Sequence, residues 1–184
     1  MTGTFTLGPG AGRIMLKTGR VGVAARAGHD LAIEVTSWSA RVEVPAEDAG
    51  GVTAATVSAD LDLGSLAVRE GTGGVKPLTD SDRADIKKTI GGILGDGTAT
   101  FTSSRIIRIG ATGGAIEGTL TLGGKTQPVR LQVSESAPGH YRGTATILQS
   151  AFGIKPYTGL FGALKLKDEV GVEFEVDLGR AQPA

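Results

Sequence analysis

The strongest constraint on this chain is a two-residue alternation of apolar and polar side chains, repeated in short runs that glycines separate. It is longest near the C-terminus. There Val170, Val172, Phe174 and Val176 alternate with Gly171, Glu173, Glu175 and Asp177 before Leu178. Successive side chains of a β-strand point to opposite faces, so each such run dictates a strand with one dry and one wet face. The same pattern runs through Ile116 to Leu122, Val129 to Ser134 and Tyr141 to Ile147. Gly123-Gly124 and Pro138-Gly139 between these runs are hairpin-turn residues, and Pro128 suits the start of a strand.

The first half repeats the pattern less cleanly. Strands are expected at Phe5 to Leu7, Arg13 to Val23, His29 to Val35, Trp38 to Val44, Val52 to Leu61 and Thr98 to about Ile109. One segment has a helical period instead. Between Thr79 and Leu94 the apolar residues Ile86, Ile90, Ile93 and Leu94 fall at i, i+4, i+7 and i+8, which predicts a helix over about residues 80–94. Thr79 or Asp80 can cap its N-terminus, and Gly95-Asp96-Gly97 ends it.

Eight or more short strands with one inserted helix close as an antiparallel barrel or stack as a sandwich. No β-α-β alternation occurs, so a parallel sheet with a nucleotide crevice is not expected. The 184 residues suit a single domain spanning 1–184, with its core at about 13–178. The 30 glycines are dispersed, as tight turns and bulges between strands require.

Composition removes several classes of function. With no cysteine, the chain has no disulfide, thiolate metal site or thiol nucleophile. Nineteen Lys plus Arg balance nineteen Asp plus Glu without a run of one sign, which argues against nucleic acid as a partner. No apolar run is long enough for a membrane span. Met1 to Gly10 lacks the basic and apolar regions of a signal peptide, so the chain as given reads as cytoplasmic, or as exported if a signal has been removed.

Candidate catalytic groups are few. Only His29 and His140 are present, too few for a histidine metal site. His140 adjoins the Pro138-Gly139 turn and reads as a solvated residue. His29 and Asp30 are neighbours on an expected strand, so they face opposite ways and make a poor catalytic pair. His29 reads either as a hydrogen-bonded residue at a strand start or as a polar contact at a cavity mouth. Glu169, Glu173, Glu175 and Asp177 read as the wet face of the last strand, and Gly71-Thr72-Gly73-Gly74 as a turn without the Lys-Ser/Thr of a phosphate loop.

One apolar stretch is not periodic. Phe152 to Leu164 is broken by Gly153, Gly159 and Gly162, and it holds three of the five Phe and two Tyr: Phe152, Tyr157 and Phe161. It is expected to plug one barrel end, or to form the lid or lining of an apolar pocket.

The order of these features resembles the YceI-like polyisoprenoid-binding family. Gly118-Thr119-Leu120-Thr121-Leu122-Gly123-Gly124-Lys125-Thr126-Gln127-Pro128-Val129-Arg130-Leu131 resembles that family's G-x-L-T-x-x-G-x-T-x-P-V-x-L hairpin. Phe152-Gly153-Ile154 is similar to its F-G-I motif, followed by Lys167-Asp168-Glu169-Val170. Leu63 to Leu66, Asp80 to Asp85 and Thr98 to Phe101 are similar to its strand–loop–helix–strand passage. The N-terminal third departs from the pattern, with Ala27-Gly28-His29-Asp30-Leu31 where an H-x-x-x-F strand is common.

The resemblance implies an eight-stranded, antiparallel, lipocalin-like β-barrel that holds an isoprenoid quinone, polyprenyl lipid or other long-chain lipid, with roles in lipid transport or stress response. It also leaves a homodimer open. The expected function is non-catalytic lipid binding. The ligand-binding candidates are His29, Trp38, Phe101, Phe152, Ile154, Tyr157, Leu160 and Phe161, and no catalytic residue, metal or cofactor is expected. Two rival readings stand beside it. One is a small barrel enzyme that uses His29 with a distant carboxylate on a hydrophobic substrate. The other is a filled barrel that acts as a protein-interaction module.

Overall fold

The structure is a computed structural model, and it describes residues 2–46, 49, 51–109 and 113–183. Its strands are β1 (Gly3–Leu7), β2 (Gly12–Val21), β3 (Asp30–Val35), β4 (Trp38–Val44), β5 (Thr56–Asp62), β6 (Leu66–Thr72), β7 (Thr98–Ile109), β8 (Gly113–Leu122), β9 (Lys125–Ala137), β10 (His140–Leu148), β11 (Thr158–Gly159), β12 (Leu164–Asp177) and β13 (Gln182–Pro183). One α-helix, α1 (Asp80–Leu94), lies between β6 and β7. The strands form one sheet in the order β13-β1-β4-β5-β7-β8-β9-β10-β12-β2-β3-β6, and β11 pairs with β12.

This is the expected antiparallel β class with a single helix, but its thirteen strands exceed the eight of the expected barrel. The excess has a geometric cause. β3 and β4 are separated only by Thr36-Ser37, and β5 and β6 only by residues 63–65. β3 pairs with β6 (Val35↔Leu66) and β4 with β5 (Trp38↔Leu61), so the four strands are one long ribbon bent at its middle. Backbone bonds cross the bend, from Asp62 N–H to Ser37 C=O at 3.0 Å and from Thr36 N–H to Ser65 C=O at 3.4 Å. With each bent strand taken as one, the path runs β2, ribbon, β7, β8, β9, β10, β12 and back to β2, leaving only the short β1, β11 and β13 outside it. The sheet thus curls back on itself, with regular pairing interrupted at the bend.

Alternation decides which face turns inward. Leu7, Ile14, Ile33, Trp38, Leu66, Val68 and Leu178 form one buried cluster, joined by Phe5, Leu16, Val172, Phe174 and Val176. This cluster unites β1 and β4 from one end of the strand order with β2, β3 and β6 from the other, which requires the sheet to curl. No polar or charged side chain is buried among the described residues.

Helix α1 begins as its sequence dictates. Thr79 is the N-cap, and its hydroxyl accepts from Asp82 N–H at 3.2 Å while the Asp82 carboxylate accepts from Thr79 N–H at 2.8 Å. Ile86, Ile90 and Leu94 pack against the core, and Arg83 donates to the carbonyl of Arg69 in β6 at 2.7 Å.

Two sequence expectations need correction. The strand expected from Val52 starts only at Thr56, because residues 51–54 wind into a 3₁₀ turn. Gly71 and Thr72, read as part of a turn, instead belong to the end of strand β6. Among the described residues, no helix is long and apolar enough to cross a membrane, and no group of three or more His, Asp or Glu could hold a metal ion.

Candidate functional site

The inner face of the sheet carries continuous apolar rows because strand register brings like residues together. One row runs Leu7–Ala40–Ala59–Phe101–Leu120 across β1, β4, β5, β7 and β8. A second runs Ala145–Val172–Leu16–Ile33–Val68 across β10, β12, β2, β3 and β6. A third runs Gly114–Val133–Gly143–Phe174–Ile14. Gly143 and Gly118 are required here. A β-carbon on Gly143 would collide with the Phe174 ring, and one on Gly118 would lie 2.7 Å from the Phe101 ring. Each ring fills the space that a side chain at the glycine would take.

The rows are not equally covered. Where the two ends of the strand order meet, the core is buried: Leu7 is 3% exposed, Val35 3% and Leu66 3%. Across β8, β9, β10 and β12, the inward residues Ile116, Leu120, Val129, Leu131, Val133, Tyr141, Ile147, Val170, Val172, Phe174 and Val176 are only half-buried. This part of the inner face is therefore less completely covered than the core, although Tyr141, Val172, Phe174 and Val176 pack against that core. An open groove of about 750 Å³ is lined mainly by residues of the opposite, polar face, among them Arg13, Lys17, Glu70, Gln132, Arg142 and Glu173, and also by Val133, Gly143 and Phe174 of the third row. Its charges offset one another, with Lys17 3.8 Å from Glu173 and Arg13 3.6 Å from Glu34.

The eight candidate residues separate into three environments. Trp38, Phe101 and Phe152 are buried, at 7%, 7% and 5% exposure. Trp38 and Phe101 belong to the inner rows, whereas Phe152 closes the 3₁₀ turn after β10. The Trp38 indole N–H is buried without a hydrogen-bond partner among the described residues. Ile154 is half-buried beside Phe152. Tyr157, Leu160 and Phe161 point outward, and Phe161 is fully exposed. The aromatic stretch is thus divided, its first half anchored and its second half projecting.

His29 sits just before β3. Its Nε2 lies 2.8 Å from the carbonyl oxygen of Lys76, which ties residues 73–78 to the start of β3. The adjacent Asp30 accepts from Arg20 N–H at 2.9 Å. The recorded partner of His29 is thus a backbone carbonyl, whereas the enzyme reading needs a carboxylate. His140 is exposed, 3.7 Å from Asp177. Glu169, Glu173 and Glu175 are exposed on the wet face as expected, but Asp177 turns back to accept from Gly179 N–H at 2.8 Å.

The inner rows missed by sequence reasoning include Leu131, Val133, Val172 and Phe174. Alternation placed each of them on the apolar face of its strand, but only the register shows which rows are less buried.

The sequence profile of the YceI-like domain matches residues 17–178. The chain belongs to the YceI-like family. Among solved structures, this YceI-like chain is similar to Burkholderia cenocepacia BcnA, with a TM-score of 0.59 and 19% identity over 90% of this chain and 94% of that one. It is also similar to a Campylobacter jejuni YCEI protein that crystallizes with large solvent channels, with a TM-score of 0.54 and 15% identity over 83% and 85% of the two chains. At these identities the structural likeness establishes the fold. No curated protein sequence matches the chain.

Proposed function

We propose that this YceI-like chain binds a long, apolar isoprenoid lipid against its inner face and does no covalent chemistry on it. The observation that carries this reading is the apolar inner surface of β8, β9, β10 and β12, continuous with the buried core and less buried than it. A flexible prenyl chain suits such a surface, because it needs area and no directional partners. Burial of about 400 Å² of apolar surface at about 25 cal/mol per Å² contributes about 10 kcal/mol before the cost of ordering the chain. The tie between His29 and Lys76 supports a binding role over an acid–base one, because the ring is engaged by backbone.

The test is native mass spectrometry of protein purified from its own host, with extraction and identification of any lipid, followed by titration of stripped protein with an isoprenoid quinone. Retention of one prenyl-chain species, and uptake of the quinone at one molecule per chain, are expected. Protein that is always empty and takes up neither a quinone nor a polyprenyl phosphate refutes the reading.

A further inference from the structure

Exposed apolar side chains gather at one end of this molecule. Val21, Val23, Val75, Leu148, Tyr157, Leu160 and Phe161 are exposed, with Val23 at 95%, Val75 at 81% and Phe161 beyond its reference value. They are far apart in sequence, but specific bonds place their segments together. Val21 at the end of β2 pairs with Lys165 of β12, and Thr158 of β11 pairs with the same Lys165. Ala24 N–H donates to the carbonyl of Ala163 at 3.0 Å. The Arg20 guanidinium donates to the carbonyls of Gly28 and Thr72, and His29 holds Lys76, so residues 73–78 join the same end. Leu148 ends β10 opposite Glu169 of β12.

Charge at this end is mainly positive. Residues 20–29, 73–78 and 149–167 carry Arg20, Arg26, Lys76, Lys155, Lys165 and Lys167 and not one carboxylate, although the whole chain has a net charge of zero. The nearest acids are engaged. Asp30 accepts from Arg20 N–H, and Asp168 accepts from the Ser150 N–H and hydroxyl. Glu169 on the following turn of strand is exposed and paired with Leu148.

The tip itself has an unusual backbone. Leu160 has φ of 49° and Phe161 φ of 54°, in the left-handed region that bulky side chains seldom adopt. Both side chains are exposed, Leu160 at 53%.

We infer that this end is a membrane-docking surface, with Val23, Leu160 and Phe161 entering the headgroup region of an anionic phospholipid bilayer and the exposed cations Arg26, Lys76, Lys155, Lys165 and Lys167 resting on its phosphates. An apolar tip ringed by Lys and Arg matches an anionic interface in both its parts. A protein partner offering the same complementarity, or a second copy of this chain, is a separate outcome of the test. The docking does not depend on which lipid the barrel holds, so vesicle association is scored without isoprenoid.

The experiment is flotation of the full chain with vesicles of phosphatidylcholine alone or with 30% phosphatidylglycerol (a composition of the order that surface charge requires). Flotation with the anionic vesicles, weakening as salt rises, is expected. Phe161→Asn and Leu160→Asn should each reduce it about tenfold, and asparagine tolerates the left-handed backbone, so both variants should fold. Phe161→Trp should keep binding. Lys155→Gln, Lys165→Gln and Lys167→Gln should each reduce it about fivefold and flatten the salt dependence. Wild-type chain that stays with neither vesicle overturns the proposal. So does equal flotation of Phe161→Asn and wild type, or a dimer in sedimentation that Phe161→Asn dissolves while vesicles are ignored.

Discussion

Trp38 was legible in the sequence as an aromatic on the apolar side of its strand, and it lies in the buried core. Its indole N–H, which periodicity says nothing about, is the one buried side-chain donor without a partner among the described residues. An unpartnered buried donor costs about 1–3 kcal/mol, whereas its ring contributes packing. Trp38→Phe should therefore change stability by less than about 1 kcal/mol, and Trp38→Ala should lose about 3–5 kcal/mol, as measured by urea denaturation. A Trp38→Phe loss as large as that of Trp38→Ala would mean that the indole N–H has a partner. His29 has the bond that one of its two sequence readings expects, that of a hydrogen-bonded residue at a strand start. Because Nε2 is bonded to the Lys76 carbonyl, His29→Ala should speed amide exchange in residues 73–78 and leave quinone uptake within about twofold. A larger loss of uptake with unchanged exchange would restore the ligand-contact role. Sequence grouped Tyr157, Leu160 and Phe161 with Phe152 because all are apolar, but Phe161 is exposed and Phe152 buried. Only the left-handed backbone at residues 160–161 separates them, and composition does not encode it.

At the scale of elements, the helix and the second-half strands were legible because their periods are long and uninterrupted. Helix α1 spans the expected residues, and its capping box is written in Thr79 and Asp82. The Thr79 N–H, then its hydroxyl, hold the Asp82 carboxyl below the usual carboxylate range. The ionised form is favoured by the fold, so its contribution is complete above the ordinary carboxylate pKa and is lost as pH falls through the lowered value. Helix α1 should thus be unaffected between pH 7 and 5 and fray only below about pH 4. Asp82→Asn should remove that acid dependence, followed by amide exchange over residues 80–86. Thr79→Ala should destabilise the helix by about 1 kcal/mol at neutral pH. The first-half strands were harder to read for a physical reason. The ribbon bends at Thr36-Ser37, and the β3–β6 register shifts between Ala32 and Ile33. Each irregularity slips the two-residue period, and the alternation of Leu66 and Val68 is lost at Arg69-Glu70 in β6.

Across the whole molecule, the inner face is buried unevenly. The buried cluster at the meeting of β1, β4, β2, β3 and β6 holds the curl, and α1 covers that side through Ile86, Ile90 and Leu94. Leu131 and Val133 on β9 are less buried than Ile33 and Leu66, so they contribute less to stability. Enlarging them should consequently be tolerated, since overpacking costs arise only where neighbours are already close. If the less buried face is where a lipid lies, Leu131→Trp should lower quinone uptake about tenfold or more, by occupying the surface, while shifting the denaturation midpoint little. Gln132→Trp, one residue along β9 and therefore on the opposite face, should leave uptake unchanged. Uptake lost equally in both variants would place the lipid elsewhere. Loss in Gln132→Trp alone would move it to the polar groove that Gln132 lines.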